Sequence, residues 1–242
     1  MASVQEHYDR HLGPVYGWMM GDFDVAKETA RSELRDVGLF DCGGGVAIDL
    51  GSGPGAHAVA LAEAGYAVTA IDTCAALLAG LRAHSGNVIT CIDDDLLNLR
   101  GHCDGAAAVI VCMGDTLTHI DSLQSVERLF TAISETLRPG GTFVATFRDY
   151  ATRTPEHAAR FIPVRQDDSR ILTCFLEYEE THVTVYDILH ERTATGWALR
   201  VSSYLKLRLS PDWARARLNR LGLVTTIEGG RSGMVRLVAR SG

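Results

Sequence analysis

Residues 46–72, VAIDLGSGPGAHAVALAEAGYAVTAID, constrain the fold more than any other part of the chain. Val46, Ala47, Ile48 and Leu50 form a short apolar run of the kind needed by a strand buried on both faces. Gly51, Ser52, Gly53, Pro54 and Gly55 break that run. Glycine has no Cβ, so the backbone there can bend sharply and come close to a ligand. Residues 56–64 are small and helix-prone, and Gly65 supplies a stop. Residues 67–71 are apolar again and end in Asp72. An acid at the tip of a second strand is placed to accept hydrogen bonds from a ribose. The stretch therefore reads as a nucleoside-binding βαβ unit.

The flanking sequence extends this into an open α/β sheet. Upstream, His7, Tyr8, Leu12, Val15, Tyr16 and Met19 recur at helical spacing, interrupted at Gly13 and Pro14. A stronger helix is predicted from Asp22 or Asp24 to Gly38. Downstream, Thr73 reads as the N-cap of a helix. Residues 87–92 form a third strand that runs into Asp93, Asp94, Asp95, Leu96 and Leu97. Residues 106–113 are wholly apolar, as in a central parallel strand. The segment that follows, MGDTLTHI, falls where ligands bind in such sheets and delivers Asp115, Thr116 and His119 there. Asp121, with Gln124 three residues on, resembles a capping box for a helix whose stripe is Val126, Leu129, Phe130, Ile133 and Leu137.

Residues 142–147 make a fifth strand, after which the pattern changes. A polar linker runs to about Arg170, followed by strands at 171–178 and 182–190. Residues 197–209 alternate: Trp197, Leu199, Val201, Leu205, Leu207 and Leu209 lie on one side, and Arg200, Ser202, Tyr204, Lys206 and Arg208 on the other. Period two over this length signals antiparallel pairing, so 151–209 is expected to be a three-stranded insertion serving as a lid or a homodimer surface. Ser210 and Pro211 start another helix, Gly222 ends it, and 223–227 with 234–238 close the sheet as a hairpin.

Charge and composition exclude several classes. The net charge is −7 and no lysine or arginine cluster forms a basic face, so neither nucleic acid nor an anionic membrane is expected as a partner. No apolar run approaches the roughly 18 residues of a membrane span, and the first residues lack the apolar core of a signal peptide. The six cysteines (42, 74, 91, 103, 112 and 174) form no C-x-x-C pair and read as reduced thiols of a cytoplasmic protein. The nine histidines show no H-x-x-x-H spacing, so no metal is expected.

Gly51, Gly53 and Ala56 fit the relaxed dinucleotide pattern G-x-G-x-x-G/A. DLGSGPG, with Asp49 two residues before Gly51 and with Gly55 in place, instead resembles the first motif of class I S-adenosylmethionine-dependent methyltransferases. The acid-leucine-leucine run at 95–97, the MGDTLTHI loop, the LRPGG ending before strand five and the closing hairpin resemble the same family, in order. The loop and the insertion are similar to those of glycine N-methyltransferase and the amino-sugar N,N-dimethyltransferases.

The resemblance implies a seven-stranded, mostly parallel, doubly wound Rossmann-like sheet. Residues 1–40 would form a helical cap, 41–150 with 210–242 the cofactor-binding core, and 151–209 the insertion. It implies S-adenosylmethionine as cofactor and S-adenosylhomocysteine as product, held by Tyr16, Asp49, Gly51, Ser52, Gly53, Gly55, Asp72, Leu96 and Met113. Asp72 would take the ribose; Asp95, or else Asp94, would take the adenine amino group. His119 is the expected general base, and Asp115 would hold an ammonium or hydroxyl. Tyr8, Arg148 and Tyr150 are expected at the substrate. The implied activity is methyl transfer to nitrogen or oxygen of a small metabolite or natural-product intermediate. The alternative is another use of the same cofactor: aminocarboxypropyl transfer, cyclisation or cleavage.

Overall fold

A computed structural model describes residues 2–41, 44–103, 106–152 and 160–242. Cys42 and part of the predicted linker, 153–159, lie outside them.

The first strand, β1 (Gly45–Leu50), sits inside a seven-stranded sheet. On one side it pairs in parallel with β2 (Tyr66–Asp72), which pairs with β3 (Thr90–Asp93). On the other it pairs in parallel with β4 (Ala107–Cys112), which pairs with β5 (Leu137–Phe147). β11 (Val235–Ser241) runs antiparallel to both β5 and β10 (Leu223–Gly229). The strand order reverses at β1, which opens a crevice at the carboxyl ends of β1 and β4.

Helices cover both faces, which is why the central strands are apolar throughout. Val126, Leu129, Phe130 and Ile133 of α6 (Leu123–Thr136) pack with Ala214 and Leu218 of α7 (Pro211–Arg220) on one face. Ala30 and Leu34 of α3 (Phe23–Asp36), Ala58 and Leu61 of α4 (Ala56–Glu63) and Leu78 and Leu81 of α5 (Ala75–Ser85) cover the other. Two caps differ from expectation. Ser122, not Asp121, caps α6, its Oγ accepting the Ser125 N–H, and Cys74 rather than Thr73 stands at the N-cap of α5. Asp72 Oδ1 accepts the N–H of Cys74 itself at 2.8 Å and so fixes the chain where it enters α5, while no side chain caps the helix's own first N–H groups.

The leader is continuously helical. α1 (Val4–His7), opened by a Ser3–Glu6 capping box, runs into a π-helical turn at Tyr8–Leu12 and then into α2 (Gly13–Met20). Gly13 and Pro14 read as a break, but the wider turn absorbs them: the Gly13 N–H reaches the Tyr8 carbonyl, and Pro14 falls in the first turn of α2. A side chain at position 13 would stand 2.5 Å from that carbonyl oxygen.

The inserted sheet has four antiparallel strands, not three. β6 (Phe161–Gln166) lies where the sequence reads as linker, and pairs with β7 (Arg170–Tyr178), followed by β8 (His182–Thr193) and β9 (Gly196–Leu207). Its apolar side faces outward: Phe161, Trp197, Leu199 and Val201 are 66, 50, 59 and 52 % exposed. The inner side buries Leu172, Val185 and Leu189 together with the polar Asp187, Tyr204 and Lys206. Asp187 and Lys206 are tolerated because each meets a hydrogen-bonding or charged partner, and the Tyr204 ring packs against His7 at 4.2 Å. His7 bonds Asp187 Oδ2 through Nε2 and Ser202 Oγ through Nδ1, both at 2.9 Å, and so ties the leader to the sheet. The Cys174 thiol donates to Asp187 Oδ1 at 2.7 Å.

Candidate active site

Gly51, Gly53 and Gly55 all have positive φ, the conformation a Cβ resists. Added side chains at Gly51 and Gly55 would strike Thr116 Cγ2 and Leu81 Cδ1 at 2.3 and 2.1 Å. At Gly53 a Cβ would meet nothing within 4 Å, because that residue faces open space. The turn is fixed from beneath: the Gly51 N–H donates to the Ile71 carbonyl and the Gly53 N–H to Asp72 Oδ2, both at 2.8 Å.

That space is part of a cavity of about 1060 Å³. Of the residues expected at the cofactor, Tyr16, Asp49, Gly51, Ser52, Gly53, Asp72, Asp94, Asp95, Leu96 and Met113 line it, whereas Gly55 lies behind the turn as the residue before α4. Tyr8 and His119 line it too. Asp115, Arg148 and Tyr150 do not. Asp115 is 4 % exposed and ion-paired with Lys206, and its carboxylate also accepts the Arg148 N–H at 2.8 Å. The Tyr150 hydroxyl donates to it at 3.4 Å, and the Arg148 guanidinium turns away to the Ser232 carbonyl. These three form a support behind the wall.

The polar atoms of the wall are poised differently. Asp49 is 2 % exposed; one oxygen takes the Ala58 N–H, the other has no partner, and burial pushes its pKa up to about 6. Ser52 Oγ is also buried without a partner. Among the three adjacent acids, Asp94 is already engaged: Oδ1 accepts from the Asp95 N–H and Asn98 Nδ2, and Oδ2 lies 2.6 Å from His102 Nε2. Asp95 uses one oxygen to cap the short helix after β3, accepting the Leu97 N–H. Asp93 does not line the cavity.

His119 packs edge-on to Tyr8 at 5.7 Å and lies 5.5 Å from the Tyr204 ring. Its Nε2 is buried without a partner. Burial, then the nearby Lys206 charge, pushes its pKa down to about 3, so the ring is neutral at physiological pH. Burial raises Tyr8 and Tyr16, which stay protonated.

The wall also contains Glu33, His57, Asp121, His182 and Leu205, none of them expected at the site. His57 carried a signal, standing two residues after Gly55 in the turn's own helix. Glu33 and Leu205 carried none, since only the folding of α3 and β9 over the crevice brings them there. Six acids (Glu33, Asp49, Asp72, Asp94, Asp95 and Asp121) and no lysine or arginine are found among the described lining residues.

The unpartnered acid and hydroxyl, the open cradle at Gly53 and the strand-end acid suit a nucleoside bearing positive charge. Residues 47–141 match the methyltransferase-domain family. No curated protein matches the chain. Among solved structures, the CcbJ methyltransferase from Streptomyces caelestis is similar at a TM-score of 0.78 and 19% identity, over 97% of each chain. CalS10, an amino pentose methyltransferase from Micromonospora echinaspora, is similar at 0.74 and 17% identity, over 95% of this chain and 96% of that one. The sugar N-methyltransferase KedS8 from Streptoalloteichus sp ATCC 53650 is similar at 0.71 and 15% identity, over 91% and 88%. At such identities the structural likeness is one of fold. Residues 47–141 are thus a methyltransferase domain, and the seven-stranded sheet that carries it has the fold of these solved methyltransferases.

Proposed function

We propose that the enzyme methylates nitrogen or oxygen of a small metabolite or natural-product intermediate. The observation that carries this is the single cavity, which continues from the glycine turn past Tyr8 and His119 to Asp121 and His182 and so has room for an acceptor beside the cofactor. An amine suits it best, because the lining is acidic and the described part of it has no lysine or arginine. The names of CalS10 and KedS8 support the same preference.

In this reading Gly51, Ser52 and Gly53 receive the amino-acid half of the cofactor, with Asp49 facing its ammonium. Asp72 takes the ribose, and Asp95 with Leu96 takes the adenine. Met113 and Tyr16 close the walls. When bound, S-adenosylmethionine supplies a methyl group already activated on a sulfonium, so the chain's task is mostly alignment and exclusion of water. The leader gives that exclusion, held down by His7 on Asp187. Neutral His119 offers Nε2 as an acceptor for an N–H or O–H of the substrate, and Tyr8 flanks it. Asp115, Lys206 and Tyr150 hold the MGDTLTHI loop in place from behind. The exposed apolar side of the inserted sheet supports a homodimer formed by two such faces.

The test is incubation with S-adenosylmethionine and panels of small amines and alcohols, followed by chromatography. S-adenosylhomocysteine with a methylated product is the expected outcome. Methylthioadenosine in its place would assign the enzyme to aminocarboxypropyl transfer or cofactor cleavage.

A further inference from the structure

The end of the cavity where the glycine turn enters α4 is lined by Thr29, Glu33, Asp49 and His57. Glu33 projects from α3 and is 8 % exposed. A carboxylate removed from water needs a charged or hydrogen-bonding partner, and His57 Nε2 is 3.1 Å from its Oε2. His57 lies in the first turn of α4, where the helix dipole favours an anion. Beside it, Asp49 keeps one oxygen unpartnered within the same cavity.

The cofactor ends in an α-amino acid, which brings one ammonium and one carboxylate to this place. The open Asp49 oxygen matches the ammonium. The carboxylate needs a positive or donating group between two protein acids, Glu33 and Asp49. His119 and His182 belong to the acceptor end, with Tyr8 and Asp121. Besides the neutral hydroxyls of Ser52 and Thr29, that leaves His57, which can give one ring N–H to Glu33 and the other to the ligand.

We propose that His57, oriented by Glu33, binds the amino-acid carboxylate of the cofactor and makes the site prefer the full cofactor over a nucleoside thioether lacking that arm. The inference rests on the cofactor reading above. Its rival is Arg231, at the tip of the β10–β11 hairpin, which borders the outer side of Thr29, Glu33 and His57. Arg231 reaches Ser32 Oγ at 3.3 Å and does not line the main cavity.

The experiment is titration calorimetry of S-adenosylhomocysteine and of 5′-methylthioadenosine, which has no amino acid, against the wild type, His57→Ala and Arg231→Ala. Loss of a charge-assisted hydrogen bond predicts that His57→Ala weakens S-adenosylhomocysteine by about tenfold or more. Methylthioadenosine should change by less than about twofold, which also shows that the variant is folded, and Arg231→Ala should leave both ligands unchanged. Equal losses on both ligands, no loss, or a loss specific to S-adenosylhomocysteine in Arg231→Ala alone would overturn the assignment. A wild type that binds neither ligand would overturn the cofactor reading together with it, a result distinct from the others.

Discussion

Asp72 Oδ2 accepts the Gly53 N–H at 2.8 Å, so the acid that ends β2 and the glycine turn that follows β1 form one rigid unit. Oδ1 is committed to the Cys74 N–H, also at 2.8 Å. Both oxygens are thus oriented, in a residue that lines the cavity. Burial, opposed by these backbone donors, raises the Asp72 pKa. Asp72→Asn must turn an NH₂ group toward one of two N–H donors, which misplaces the turn and removes a charged acceptor at once. S-adenosylhomocysteine affinity should fall by about 10- to 100-fold. An unchanged Kd in calorimetry would remove Asp72 from the cofactor site.

Asp49 should be stabilising for binding and destabilising for the fold. Its pKa is raised to about 6 by burial, so the folded state binds a proton more tightly than the unfolded chain does. Stability without cofactor therefore falls as pH rises from the ordinary carboxylate range to about 6, by a total of about 3 kcal/mol. Asn at this position can still accept the Ala58 N–H without carrying the charge. Urea denaturation at pH 8 should show Asp49→Asn to be more stable than the wild type, with the slope between about pH 4 and 6 lost. Calorimetry should show it binding S-adenosylhomocysteine more weakly. A variant less stable at pH 8 would contradict this account of Asp49.

The acids after β3 divide by their present partners. Asp94 is held by Asn98, His102 and the Asp95 N–H, and these hold its carboxyl below the usual range, His102 most of all. Among the described residues the Asp95 carboxylate has only the Leu97 N–H to satisfy. Asp95→Ala should weaken S-adenosylhomocysteine by about tenfold, the value of one charged hydrogen bond, and Asp94→Ala by clearly less while lowering the melting temperature. The reverse order in a thermal-shift and calorimetry pair would give the adenine to Asp94.

Most of the sheet was legible because its signals are local. The apolar run 46–50, the glycine turn and the acid at 72 lie within one βαβ unit, and period two marked β9. Residues whose role depends on distant partners were not legible. Asp115 and Lys206 are 91 positions apart, and nothing near either announces that they pair, so Asp115 read as a free acid at the crevice. β9 had a readable alternation, but its buried side is the polar one, because His7, Asp187 and Asp115 wait beneath it. β6 escaped notice because its residues are mostly exposed and show no clean alternation.

The Lys206–Asp115 pair predicts a strong non-additivity. Burial opposes both charges, yet their attraction lowers the Asp115 pKa and raises that of Lys206. The contribution from Asp115 is present above its unfolded pKa and lost as pH falls through the lower folded value. The contribution from Lys206 is present below its unfolded pKa and lost as pH rises through the higher folded value. Lys206→Met leaves a buried carboxylate unpaired and should cost about 3–5 kcal/mol in urea denaturation. Asp115→Asn keeps an acceptor for the Arg148 N–H and tolerates the positive φ of this position. The double variant should therefore recover most of the loss, and additive losses would refute the coupling.

His119 should leave no acid limb in the pH profile. With its pKa pushed down to about 3, the imidazole is already neutral wherever the enzyme works, and it is too weak a base to draw a proton from an ammonium. It contributes an acceptor at Nε2 and an aromatic edge to Tyr8. An amine substrate must then lose its proton to solvent before transfer, so kcat/KM should rise with pH up to the pKa of the amine itself. His119→Gln offers an amide in place of the ring, can still accept one hydrogen bond, and should retain kcat/KM within about tenfold. A general base in the same position would behave differently. The wild type would show a limb near the ordinary histidine value, His119→Gln would abolish it, and the loss would reach about 10²–10⁴-fold. Profiles of the two proteins with one amine, taken from about pH 5 to 9, separate the hydrogen-bonding role from proton abstraction.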